Sequence, residues 1–433
     1  MSSTSIELQP RRSLEPGPSL APTPGPSPSL HASAEFPEAG RELPSLPPAD
    51  TGRDAWNFLI AATAMETTVW GFPYTIGILH NYWASEMFPG EESTLTFAAT
   101  LQTGLMFMST AVLGPLFAAF PHRSKLIQTV GLVVSSAGLI AAGFVTKADQ
   151  LIPTMGVLYP FAGALYLPCA TLVYEWFVER RGVATGIMFA GTGVGGTIFP
   201  FIVDALLKRF GYKATMVAVG IGFATLNAVA LLFVKRRLPL PPRVPGQRRP
   251  RPQIDWGVAK TWPFWCGFFV LLLTSMGNFN PTLWIPTASV PGNALTGWIS
   301  DRTPAKVTVF GSSLLAALAV LIPWGLGTTN APLVFFSIVW GLTALSFVSL
   351  WSKLISRICK DDPTMATLIF SMFAVLRGVG NLTSGPVSTE LLKSDSFKGK
   401  AAGAYGKTNF GAVLVYTAVV IFSGGVFGLF FPK

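Results

Sequence analysis

Charge is what this 433-residue chain lacks most. Asp, Glu, Lys and Arg make up only 12% of it, against roughly 25% in soluble domains. So few charges could not cover the water-facing surface of two or three ordinary domains. Cysteine is nearly absent: Cys169, Cys266 and Cys359 form no close-spaced pair, which supports neither a disulfide framework nor a zinc site. His31, His80 and His122 lie too far apart for a local metal cluster. No nucleophile–base–orienter set is visible, so neither an enzyme nor a cofactor is expected. Present in excess are Gly (43), Pro (35) and Phe (33), as in helices that pack closely, kink and face lipid. These features describe a polytopic all-α membrane protein.

A net charge of +10 raises nucleic acid as a partner. The basic residues, however, fall in short loops between apolar runs, the pattern of topogenic charge, and no nucleic acid is expected. Residues 1–53 hold eleven prolines and almost no aromatic residue; such a stretch cannot offset its ordering entropy by burial and is expected to be a disordered cytosolic tail. It shows no basic segment leading into an apolar one, so no cleaved signal peptide is expected.

Apolar spans of about the 20 residues needed to cross a bilayer then recur. They run Trp56–Tyr82, Leu95–Phe120, Leu126–Val145, Leu151–Phe177, Val183–Leu207 and Ala214–Val234. Beyond a basic, proline-rich linker (236–260) come Trp262–Ile285, a short piece Ser289–Ile299, Val307–Leu326, Pro332–Ile355, Met365–Leu392 and Phe410–Phe431. Residues 54–235 and 261–433 are thus read as two transmembrane halves. Arg123, Lys125, Arg180, Arg181, the linker, Arg302, Lys306, Lys353, Arg357 and Lys360 fall in alternate loops, which places those loops and both termini in the cytosol. Lys393, Lys398, Lys400 and Lys407 weaken the bias on the other side. A faint repeat relates the halves: Gly193-Val194-Gly195 before Pro200, and Gly378-Val379-Gly380 before Pro386. Such glycines allow close helix approach.

Several side chains stand out at membrane depth. Glu66 lies about 15 Å into the first span, where a carboxylate must be paired, protonated or in water. Glu66, Trp70 and Tyr74 are spaced to share one face. Arg377, in the middle of span eleven, stays protonated and offers a fork matched to carboxylates; an anionic solute and a structural pair with Glu66 both remain open as its partner. Asn381 stands one turn further on, placed to orient it. Asn278 and Asn280 precede Pro281 at an expected helix break, where freed carbonyls border substrate sites in transporters or are satisfied by packing. The glycines around Gly191–Gly196 imitate a nucleotide loop, but no strand precedes them and no Lys-Ser/Thr follows, so helix packing accounts for them.

Tyr174-Glu175-Trp176-Phe177-Val178-Glu179-Arg180-Arg181-Gly182 leads into Ala190-Gly191-Thr192-Gly193; Asp54-Ala55-Trp56 precedes Trp70-Gly71-Phe72-Pro73; Arg377-Gly378, Asn381 and Gly385-Pro386 mark span eleven. Six spans, a basic linker and six more form the layout of the major facilitator superfamily. On these motifs the chain from Asp54 onward resembles its monocarboxylate porter family, in the fungal-type branch. The resemblance implies that span one lines a central cavity and that Asp301-Arg302 is the superfamily's gate motif. Arg180 and Arg181 fit either a gate or a topogenic role.

Two departures from the family pattern bear on function. The lysine that follows the span-one proline in the animal lactate porters is Tyr74 here, so coupling through it does not carry over. In addition, Trp262–Ile299 is only 38 residues, about 57 Å of helix, less than two crossings of ~30 Å each. The run Pro286–Gly292 is expected to be a seam where roughly twenty residues of a typical span eight are missing, with helix 8 truncated.

The resemblance implies a monomeric secondary active transporter, moving a small organic solute such as a monocarboxylate by alternating access, with a proton as an optional co-substrate. The plasma membrane is the expected address, with the vacuolar membrane as the alternative. Two other functions stay open: a non-transporting sensor or degraded paralogue, and a carrier of a neutral solute such as a vitamin.

Overall fold

The computed structural model describes residues 47–239, 256–278, 286–359, 363–393, 397–407 and 410–432. Among them there is no strand. Helix α1 is Arg53–Gly71, prolonged through a 3₁₀ turn (Phe72–Thr75) into Ile76–Tyr82. Helices α2 (Glu92–Ala119), α3 (Pro121–Ala142) and α4 (Ala148–Trp176) follow. Helices α5 (181–210) and α6 (212–233) form one 53-residue run broken at Gly211, whose φ of 74° lies in the left-handed region. Nothing crowds that position; the backbone conformation, not the space, calls for glycine.

After the stretch between α6 and α7 come α7 (Trp262–Asn278), α8 (Pro286–Arg302), α9 (Ala305–Trp324), α10 (Asn330–Cys359), α11 (Pro363–Leu392) and α12 (Gly411–Leu429). Among the described residues, eight helices, counting 181–233 once, are long and apolar enough to cross a membrane. Their outer faces are apolar, with Phe201 75% and Val112 70% exposed. That inside-out pattern suits surroundings of lipid rather than water.

The seam expected at Pro286–Gly292 is helical. Helix α8 spans Pro286–Arg302, longer than the Ser289–Ile299 piece read from sequence, and Pro291 lies inside it. Helix α7 is described over 17 residues, about 26 Å. Asn280 and Pro281 lie outside the described residues, as does the side chain of Asn278. Helix α8 is held between α5 and α10. Thr296 donates to Leu342 O at 3.3 Å and Ser349 to Asn293 Oδ1 at 2.8 Å.

Helix α5 approaches its neighbours α1 and α8 closely. A Cβ at Gly191 would stand 2.6 Å from Thr63 O of α1, and one at Gly71 only 2.5 Å from the Cα of Gly195. On its other side, Gly186 meets Asn293 O and Gly182 meets Gly297 of α8 in the same way.

The turn from α4 into α5 is tied from several directions. Helix starts leave backbone N–H groups without partners, and no local side chain caps α5. Asp50, in the segment before α1, accepts from the N–H groups of Val178, Glu179 and Arg180 at 2.9–3.2 Å. Its φ of 58° is one that Asp, nearly alone among non-glycine residues, tolerates. Beside the turn, Arg236 grips buried Glu175 through Nε at 3.1 Å and Nη2 at 2.6 Å. Arg237 Nε reaches Pro47 O at 2.8 Å.

Burial alone would raise the Asp50 carboxyl, but the N–H groups of Arg180, Glu179 and Val178, with the Arg180 charge, outweigh it and hold Asp50 below the usual carboxylate range. The stabilisation is therefore complete above about pH 3.9 and is lost only as pH falls through the depressed value. Asp50→Ala is expected to cost about 1 kcal/mol at neutral pH. In thermal melts, its deficit should persist to about pH 5 and close only in stronger acid.

Candidate functional site

At membrane depth, α1, α2, α4 and α5 share a cavity of about 300 Å³ with α8, α10 and α11. Pro73 has no N–H to donate, and the 3₁₀ turn there carries α1 past the cavity with Glu66, Trp70 and Tyr74 all on its wall. From α11, Arg377 and Asn381 line the same space. Of the residues singled out from the sequence for solute binding, only Asn278 is not placed there, its side chain being outside the described set.

Glu66 and Arg377 are the only charged side chains on the wall among the described residues. Glu66 is 2% exposed. Its Oε1 accepts a hydrogen bond from Thr192 of α5 at 2.9 Å, whereas Oε2 is buried with no hydrogen-bond partner. The Arg377 guanidinium lies 5.9 Å from the Phe107 ring centre and 6.0 Å from that of Trp351, within cation–π range. Arg377 is also close enough to Glu66, Tyr74 and Tyr166 for its charge to act on all three.

Aromatic rings enclose this pair. Trp70 packs on Phe107 at 4.5 Å and edge-on to Tyr166 at 5.2 Å; Trp351 meets Phe370 at 5.4 Å. Trp351 Nε1 is buried without a partner. Behind the rings, Asn293 is held by Ser349 and by its own bond to Ser289 O at 2.9 Å.

Sequence reasoning missed Thr192, Tyr166, Asn293 and Trp351. Thr192 carried a usable signal, a lone hydroxyl in a glycine-rich helix. Asn293 lay in the segment read as a defect. Tyr166 and Trp351 sit in ordinary apolar spans and carried none.

At the end of the molecule where α6 leaves and α7 begins, Asp301 of α8 reaches across to α5. Its Oδ1 accepts from Gly182 N at 2.7 Å and its Oδ2 from Val183 N at 2.9 Å, at the helix end where a negative charge is most favourable. Arg302 takes no part in that contact; it lies over its own Trp298, 4.0 Å from the ring centre. Arg180 contributes its backbone to Asp50. Arg181 donates to Phe177 O at 3.2 Å and lies over Tyr174.

Residues 55–292 match the family described as the Major Facilitator Superfamily. The MFS transporter asaE of Aspergillus flavus is 28% identical over 398 residues, covering 85% of this chain and 86% of the relative. The fujikurins efflux protein of Gibberella fujikuroi is 24% identical, covering 81% and 78%. Among solved structures, the human organic anion transporter TETRAN superposes with a TM-score of 0.60 at 12% identity, over 87% of this chain and all of that one.

Asp301→Ala removes the carboxylate that joins α8 to α5, so the α6–α7 end should open more often. With Val348→Cys as a reporter on the cavity wall, labelling by an impermeant thiol reagent from that end should rise several-fold. Unchanged labelling would mean that Asp301 does not hold the two helices together.

Proposed function

The chain belongs to the major facilitator superfamily of membrane transporters, and on that premise we propose that it carries an organic anion by alternating access around the Glu66–Arg377 cavity. The observation that supports this most is one permanent cation, Arg377, on the wall of an aromatic cavity lined from both halves. A guanidinium binds a carboxylate through two parallel N–H···O bonds, and the surrounding rings bind the apolar body of such a solute. The cavity, about 300 Å³, is at the lower end of the ~300–1,000 Å³ range of small-molecule sites. It has room for an acid bulkier than a three-carbon monocarboxylate.

Proton coupling is assigned to Glu66. The position of the porter-type lysine is Tyr74, so a different group must carry the proton, and Glu66 Oε2, buried and unpartnered, offers the atom on which it would sit. Glu66 and Arg377 face the same cavity, so a bound carboxylate would engage the guanidinium while Glu66 carries the proton. The efflux function named for the Gibberella relative supports outward movement, at the plasma membrane, with the vacuolar membrane as the alternative. Helix α8, seated between α5 and α10 and reaching the cavity through Asn293, favours a working carrier over a degraded one.

The test is transport by the purified full-length chain in vesicles, with a panel of labelled organic acids and their neutral amides. Arg377→Ala should lower transport of acids by about 10–100-fold, with Arg377→Lys restoring only part of it. Normal transport by an Arg377→Ala protein that reaches the membrane would overturn the anion site. Glu66→Gln should abolish accumulation driven by a pH gradient while solute exchange continues. An unchanged pH dependence would remove Glu66 as the coupling group.

A further inference from the structure

A second cavity lies away from the solute path, on the outward faces of α1 and α6. It is an apolar groove of about 370 Å³, walled by Asn57, Ile60 and Ala64 of α1 and by Leu226, Val229 and Phe233 of α6. Its walls are open to the surroundings: Ile60 is 65% exposed, and Leu226 and Val229 are each 58% exposed. Deeper in, the two helices are fastened by Thr68, which donates to Asn227 Oδ1 at 3.0 Å, so the groove is a fixed feature of a firmly joined pair.

One end of the groove is charged. Arg53 precedes Asn57 by four residues on α1, which puts it on the groove's own face. Lys235 follows Phe233 by two residues, where the chain leaves α6. Both are exposed, and neither has an ion-pair partner among the described residues. Asp54 is turned about 100° away from Arg53 around the helix. Trp56, 44% exposed, is at the same level, as is usual where a helix meets the lipid headgroups. The groove runs about 10 Å along α1 from Asn57 to Ala64, a third of the hydrocarbon core.

We propose that this groove is a binding site for an anionic phospholipid, its acyl chain between α1 and α6 and its phosphate between Arg53 and Lys235. The geometry suits one leaflet, the one at the α6–α7 end, which the distribution of basic loops places on the cytosolic side, where anionic lipids concentrate. A second copy of the chain is a poorer occupant. A two-fold contact through this face would bring like cations together at the same depth.

The test titrates the delipidated full-length chain with phosphatidylserine and with phosphatidylcholine of identical acyl chains, counting bound lipids by native mass spectrometry. Phosphatidylserine is expected to bind more tightly, with a roughly five-fold loss for each cation removed in Arg53→Gln and Lys235→Gln. Ala64→Phe, which fills the groove at an exposed position, should reduce binding of both lipids. Equal retention of the two lipids by the unmodified chain, or a preference that survives the double charge variant, would overturn the site. A dimer that disappears in Ala64→Phe while lipid binding is unchanged would give the groove to a second copy instead. Should Ala64→Phe fail to fold, the charge variants decide alone, since both positions are at the surface.

Discussion

The close approach of α5 to α1 on one side and to α8 on the other is the contact on which the rest of the molecule depends. Gly191 and Gly195 bring its backbone against α1, and Gly186 does so against α8. Lipid supplies no hydrophobic drive for helices to associate, so packing and hydrogen bonds must hold them, and only side chains as small as glycine allow backbones this near. Because α5 is so close to α1, the short hydroxyl of Thr192 reaches Glu66. Because it is so close to α8, the Asp301 carboxylate reaches the first N–H groups of α5.

Two aspartates share that one turn with different consequences. Asp50 and the α4–α5 turn both belong to the half that contains α1, so their bonds would survive the proposed movement of one half against the other. Asp301 comes from the other half, and its bonds must break if the cavity is to open at that end. Asp50 thereby presents a preformed turn to Asp301, and under the proposed alternating access the cost of ordering the loop would not recur with each closure. The ion pair of Arg236 with Glu175 fixes the start of the α6–α7 stretch to the same place.

Helix α8 illustrates how far a span count reaches. Counting residues against bilayer thickness gives too few between Trp262 and Ile299 for two ordinary crossings. Helix α8 makes its contacts with α5 and α10 over 17 residues, and Pro291 is accommodated within it because neighbouring helices and polar side chains can satisfy the backbone it leaves open. The short piece Ser289–Ile299 supplies Asn293 to the cavity wall, and Asp301, just beyond it, makes the end contact.

The sequence by itself determined the solvent of this protein and the order of its helices. Twenty-residue apolar runs and a scarcity of charge admit no other solution in water or lipid. It also marked Glu66 and Arg377, since a charge at membrane depth is too costly to be incidental, and helical spacing put Trp70 and Tyr74 on the face of Glu66. Only the tertiary structure decided that Glu66 and Arg377, 311 positions apart, share one cavity, and that Tyr166, Asn293 and Trp351 complete its wall. Periodicity records which face of a helix is buried. In a bundle surrounded by lipid both faces are apolar, so which helix lies opposite is set by contacts that close only when all of them are packed.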